Sequence, residues 1–225
     1  MHITIFGSTG AVGHECLKQS LAAGHSVKVL VRNADKLPSA LREDIDVLEG
    51  DALNASDVFS AVEGADAVLF AIGVDKHSPE NLCTDVTRLI LNSLRELSRD
   101  KAQDQTQEYL NGACRFIWCG GGSTFVEEDK ITFGAKFVRF FASTFMGLRH
   151  RDKEMQWQLL KQYQDIPCIG VRPLQIKNGE KTEKYQVGFI PFSGTSSISF
   201  ADVAHAMLGM LNNEEWLHKA PIVRY

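Results

Sequence analysis

The sequence predicts an α/β fold of the doubly wound type: one parallel sheet in a three-layer αβα sandwich, within a single domain over residues 1–225. Three observations carry this. Short apolar, β-branched stretches alternate with longer amphipathic ones along most of the chain, the signature of strand–helix–strand units. Residues 65–72 are almost continuously apolar, as in a central strand covered on both faces. One glycine-rich junction, at residues 7–13, joins a strand to a helix, and no second such junction follows.

The elements follow in order. Ile3, Thr4, Ile5 and Phe6 suit a buried strand. Gly7, Gly10 and Gly13 come next, three apart, and Ala11, Val12, Cys16, Leu17 and Leu21 then recur at helical spacing up to Ala23 and Gly24. Strand, glycine turn and helix together point to a dinucleotide. Gly7 permits the tight turn, Gly10 leaves room for a pyrophosphate, and Gly13 lets helix and strand pack closely. The helix N-terminus offers free N–H groups to the phosphates.

Ser26–Val31 reads as the second strand and ends at Arg32. A basic residue at this strand end accommodates the 2′-phosphate of NADP where an acid would take the ribose of NAD, so NADPH is expected over NADH, with Lys36 near enough to help. A short helix over 35–42, broken by Pro38, precedes a third strand over 45–49 and the pair Gly50-Asp51. Asp51 is read either as an adenine contact or as a turn residue. Asn54 caps a helix over 55–62. The fourth strand, 65–72, ends in Gly73, where bare backbone can pass close to a ribose. A long helix over 80–99 has Leu82, Val86, Leu89, Ile90, Leu94 and Leu97 on one face. Residues 100–112 are polar and read as a surface insertion.

The fifth strand, Arg115–Cys119, runs into Gly120, Gly121, Gly122, Ser123 and Thr124. Phe133, Phe137, Phe141 and Phe145 lie four apart, one stripe of a helix. The stripe reads as core or an oligomer contact, or alternatively as an aromatic wall over a flat substrate ring. A helix over 148–164, with Met155, Leu159 and Leu160 inward, leads to a sixth strand over 166–171 and to Arg172-Pro173. Residues 174–198 form a small substrate-side region with a short strand or hairpin arm over 185–191. Ser199 caps the last helix, and residues 222–225 are expected as an edge strand. Ligands of such a sheet lie at the carboxyl ends of its strands, where Gly7, Arg32, Asp51, Gly73, Cys119 and Arg172 all fall.

Bulk composition excludes several classes. The net charge of −4 gives no reason to expect nucleic acid or an anionic membrane. No apolar run suits a membrane span, and no leader segment precedes the first strand, so a cytoplasmic protein is expected. The five cysteines lack paired spacing and read as reduced, buried thiols, with Cys119 kept in view beside the glycine run. The seven histidines show no ligand spacing, so no metal is expected.

Residues 7–13, 31–33, 48–51, 171–173 and 199–204 together resemble the atypical short-chain dehydrogenase/reductase superfamily, and with it a Rossmann-type fold. The nearest branches are proteins called NADH-flavin reductases, biliverdin-IXβ/flavin reductase and NmrA-like redox sensors. The resemblance spans nearly the whole chain apart from 100–112. It implies a cofactor site of Gly7, Ser8, Thr9, Gly10, Ala11, Val12 and Gly13, with Arg32, Asp51, Ala52, Ala71, Ile72, Gly73, Cys119, Gly120, Lys153, Arg172 and Pro173. The superfamily's dehydrogenases use a tyrosine four residues before a lysine, and a serine after the fifth strand. Lys153 stands at the lysine's place, but Arg149 stands at the tyrosine's and cannot give a proton at neutral pH. Ser123 is offset from the serine's place, which Gly121 or Gly122 occupies. Lys153 and Ser123 are therefore the catalytic candidates. In the biliverdin branch a histidine follows the proline after the sixth strand; here Leu174 and Gln175 stand there. The resemblance implies an NADPH-dependent reductase of a flavin (FMN or FAD), quinone or similar flat small-molecule acceptor, or alternatively an NmrA-like NADP sensor without catalysis. A nucleotide-sugar epimerase or dehydratase ranks last, for want of the proton-transfer residue.

Overall fold

The structure, a computed structural model, describes residues 1–103, 113–145, 147–192 and 195–225. The chain runs β1 (His2–Phe6), α1 (Ala11–Ala22), β2 (Ser26–Val31), a 3-10 turn (Ala34–Lys36), α2 (Ser39–Arg42), β3 (Asp46–Glu49), α3 (Ala55–Val62), β4 (Ala67–Phe70), α4 (Leu82–Gln103) and β5 (Arg115–Cys119). It continues through α5 (Phe133–Phe145), α6 (Gly147–Leu160), β6 (Cys168–Pro173), β7 (Gln175–Lys177), β8 (Gln186–Gly188), β9 (Ser197–Ser199), α7 (Phe200–Gly209) and β10 (Ile222–Arg224).

Eight strands form one sheet in the order β3-β2-β1-β4-β5-β6-β10-β8. The pairings from β3 through β10 are parallel, and β8 joins β10 antiparallel. The doubly wound, Rossmann-type architecture expected from the sequence is what the chain adopts. β1 lies between β2 and β4, so the winding direction reverses there and leaves a crevice beyond its carboxyl end.

Each face of the sheet carries its own core. On one, α1 and α7 cover Ile3, Ile5, Val29, Leu69, Ile117 and Val171. On the other, α3, α4 and α6 cover Phe6, Val68, Phe70, Phe116 and Trp118. All four residues of β4 are buried, as its unbroken apolar run requires. Asn54 caps α3 and Ser199 caps α7 through their side chains.

Several expectations need correction. Residues 222–224 are not an edge strand: β10 sits between β6 and β8, because β8 returns antiparallel along its outer side. β7 and β9 pair as a small parallel sheet of three residues each, too short to show an alternation in sequence. α4 runs on to Gln103, since polar helix formers continue a helix readily; the rest of the 100–112 segment lies outside the described residues. Met155 is only half-buried, and Gln156 and Trp157 take the inward positions. The core reading of the phenylalanine stripe fails: Phe133, Phe137, Phe141 and Phe145 are all exposed, and Ala135, Val138 and Ala142 face inward instead. Among the described residues no helix is long and apolar enough to cross a membrane.

Candidate functional site

The crevice begins at the glycine loop. Gly7 has φ +88°, and a Cβ there would stand 2.8 Å from the Ala71 carbonyl group and the Ile72 nitrogen. A Cβ on Gly13 would meet the Gly7 carbonyl oxygen at 2.1 Å. Internal packing therefore demands both glycines. Gly10 is different. Its φ is −87°, and a Cβ would approach only the Gly7 oxygen, at 3.3 Å. Thr9, Gly10 and Ala11 are exposed, so the space a side chain would fill at Gly10 lies outside the protein. No side chain caps α1, and no acid stands in its first turn. The N–H groups of that turn are thus left to an outside acceptor. Ser8 Oγ is buried without a partner beneath the loop. A diphosphate fits this cradle in shape and in charge.

Arg32 follows β2, is exposed, and among the described residues makes no side-chain hydrogen bond or ion pair. Asp51 serves a turn: its Oδ1 accepts from the Leu53 N–H at 3.0 Å, and its own N–H donates to Asp57 Oδ2 at 2.8 Å. Ala52 is half-buried beside it. Among the described residues, apart from its two chain neighbours, nothing stands within 4 Å of a Cβ placed on Gly73.

Beyond the ends of β5 and β6 the crevice widens into a cleft of about 510 Å³. Gly120, Gly121, Gly122 and Ser123 form one wall, Pro173 to Ile176 another. Phe137, Val138, Phe141 and Ala142 of α5 and Arg149, His150 and Lys153 of α6 complete it. The glycine run is clamped to β6: Gly120 donates to the Val171 carbonyl at 2.9 Å and Gly122 to that of Pro173 at 2.8 Å. A Cβ on Gly120 would lie 2.3 Å from the Trp118 ring.

Lys153 Nζ donates to the Cys119 carbonyl at 3.0 Å and to Gln156 Oε1 at 3.3 Å, and lies 5.4 Å from the Phe70 ring centre. The carbonyl of Cys119 is its working part. Burial pushes the thiol up to about 11, against a weaker downward pull from Lys153, so the sulfur stays protonated and inert.

Arg172 does not reach the cleft. It is wholly buried, with NH1 and NH2 donating to the two oxygens of Asp129 at 2.9 and 2.6 Å. Its remaining bonds go to the Thr124 and Ala220 carbonyls. A guanidinium so committed cannot also meet a ligand. It ties the loop bearing Ser123 to β6, while Pro173 does line the cleft.

The sequence reading missed a chain of polar groups crossing α6. Ser123 Oγ and His150 Nδ1 lie 3.2 Å apart. His150 Nε2 is 3.4 Å from Glu154 Oε1, which Arg139 meets at 2.7 Å. Desolvation lowers the pKa of the buried His150, Glu154 raises it and Arg139 lowers it. Ser123 and His150 line the cleft, whereas Glu154 and Arg139 line a separate cavity. The available signal was spacing: His150, Lys153 and Glu154 lie three and four apart on one helix.

Comparison with known proteins bears on the family and the fold. A family described as NAD(P)H-binding matches residues 7–214. The uncharacterized protein YwnB of Bacillus subtilis (strain 168) is 28% identical over 96% of this chain and 94% of its own length. ChuY, an anaerobilin reductase from Escherichia coli O157:H7, has a TM-score of 0.73 at 17% identity, covering 100% of this chain and 97% of its own. A candidate NADH-flavin reductase from Streptococcus pneumoniae TIGR4 has a TM-score of 0.70 at 19% identity, covering 100% and 99%. At such identities the two structures speak for the fold alone, but the family match reaches from the glycine loop to beyond α7, and the chain belongs to the NAD(P)H-binding family.

Proposed function

We propose that the protein is an NADPH-dependent reductase of a flavin, quinone or similarly flat acceptor. The observation that carries this reading is the cleft beside Lys153, with aromatic and small apolar side chains over a glycine wall. A planar ring fits between such surfaces. The bound nicotinamide supplies a hydride, two electrons with one hydrogen, to the acceptor.

The protein's own groups do the rest. The glycine loop and the N-terminus of α1 receive the diphosphate. Arg32, unpartnered among the described residues, receives the 2′-phosphate. Lys153 is fixed by the Cys119 carbonyl and Gln156, where it can hold the ribose on the nicotinamide side. Arg149 cannot supply the proton that balances the added hydride. Ser123 Oγ gives it to the reduced acceptor and recovers one from His150 Nδ1. As Nδ1 gives up that proton, Nε2 takes one from solvent on the side of half-buried Glu154, and exchange with solvent restores the Nδ1–H tautomer.

The test is to mix the purified protein with NADPH and FMN, then with soluble quinones, and follow the nicotinamide absorbance band. Oxidation of NADPH dependent on protein and acceptor is expected. Tight NADPH binding with no oxidation by any flavin or quinone would overturn the reductase reading in favour of a sensor.

A further inference from the structure

The stretch from Lys130 to Arg151 differs in two respects from the rest of the chain. Of the ten large hydrophobic side chains left exposed among the described residues, seven lie within it. They are five phenylalanines of α5, flanked by Ile131 and Leu148. Phe133 is 87% exposed, Phe145 70% and Phe140 66%. The helix is inverted relative to ordinary packing: its small residues Ala135, Val138 and Ala142 are buried, and its aromatic rings point to solvent.

The second respect is charge. A chain of net charge −4 carries five cations here, Lys130, Lys136, Arg139, Arg149 and Arg151, and no Asp or Glu between residues 130 and 151. Arg139 is held by Glu154 and stacks on Phe125. The other four are exposed and, among the described residues, make no ion pair. Of the nearby acids, Glu127 is paired with Lys161 and Asp129 with Arg172, which leaves Glu128 on the loop before α5, and exposed Asp75 and Glu80, with Lys76 between them, beside Phe145 and Arg149 at the other end. An aromatic face rimmed by free cations that outnumber the unpaired acids beside it matches a lipid surface with anionic headgroups. A second copy of this chain fits less well, because a two-fold contact would bring the same cationic rims together.

We propose that α5 is an interfacial helix that seats the protein on an anionic bilayer. Its phenylalanines enter the headgroup boundary, and Lys130, Lys136, Arg149 and Arg151 meet the phosphates. The whole-chain charge conceals this because it averages over an acidic remainder. Phe137 and Phe141 belong both to this face and to the cleft wall. Resting on the reductase reading above, the acceptor class that fits is a quinone dissolved in the lipid, entering the cleft past these two rings.

Flotation of the purified protein with vesicles of phosphatidylcholine, with and without phosphatidylglycerol, tests the docking. Binding is expected to the anionic vesicles and to weaken with salt. The double substitution Phe133→Asp, Phe140→Asp, neither residue lining the cleft, is expected to abolish flotation and leave NADPH binding unchanged, which shows that the variant is folded. Equal or absent binding to the two vesicle types would overturn the proposal. So would a dimer in sedimentation that the double substitution dissociates, since a second copy would then cover the face. Vesicle binding needs no turnover, so intact flotation with no NADPH oxidation would count against the reductase reading alone. For the acceptor, NADPH oxidation with a long-chain quinone is expected to be several-fold faster in anionic than in neutral vesicles, and equal rates would overturn delivery from the bilayer.

Discussion

Gly7, Gly10 and Gly13 look alike in sequence and are alike in nothing else. Two are demanded by the protein's own atoms, whereas at the third a Cβ would meet only the Gly7 oxygen and otherwise stand in the open. The spacing announced all three, because a backbone without Cβ is the same letter whatever the reason. Arg32 was legible on the same terms, as a cation at the end of β2. Arg32→Ala should weaken NADPH by about 1.5–3 kcal/mol, the value of a hydrogen bond to a charged group, and leave NADH nearly unaffected. Titration of both cofactors checks it, and equal losses would show that the side chain serves another purpose. Arg172 carried the same cue but does not reach the cleft, because its partner Asp129 lies 43 residues away and no local pattern joins them. His150 escaped notice for a similar reason, its Ser123 contact spanning 27 residues. Desolvation holds its folded pKa below the ordinary 6.5, with Glu154 opposing and Arg139 assisting. The unfolded chain then binds the extra proton first. The stability in question is therefore complete above about pH 6.5 and drains away as the pH falls. His150→Asn should flatten the acid side of a stability–pH curve measured by denaturant unfolding. A residual slope is expected from His25 and His218, which burial also lowers.

At the scale of elements, α6 presents His150 and Lys153 to the cleft and is itself positioned from α4. Asp152 is buried and accepts from the Cys83 and Thr84 N–H groups at 2.8 and 3.0 Å, capping α4 from a neighbouring helix. Gln156 donates to Thr87 Oγ1 at 2.8 Å. Lys153 stands between these two anchors. Periodicity identified both helices because their apolar residues recur, but it cannot register a carboxylate that caps another element. The loop after β5 is held in the same way by the buried Arg172–Asp129 pair. Asp129→Ala leaves a guanidinium buried without its counter-charge and should cost about 3–5 kcal/mol in chemical denaturation. Replacing both members with apolar residues of similar volume, Arg172→Met with Asp129→Leu, should recover most of that. If Asp129→Ala is no worse than the double variant, the pair has no anchoring role.

The whole molecule is where the sequence was most informative. Alternating strand and helix patterns fix a parallel sheet, and a parallel sheet fixes where its ligand sits. What stayed hidden were three-residue strands and the order in which the last strands join, since neither changes the local pattern. A cradle built from main-chain N–H groups of β1, α1 and their turn exists only when the sheet is intact, so a ligand there binds the folded state alone. NADPH at one hundred times its Kd should stabilise the protein by about 2.7 kcal/mol. A melting curve unmoved by NADPH or NADH would contradict the cradle assignment. The placement of β10 bears on how the chain is made. β6 receives β10 along its far side, so on the ribosome β6 is complete some fifty residues before its neighbour emerges. Through that interval a row of unsatisfied peptide groups stays open to other nascent chains. Synthesis speed over the stretch that separates β6 from β10, and the chaperones waiting at the exit tunnel, therefore bear on the yield of this protein as directly as its final stability does.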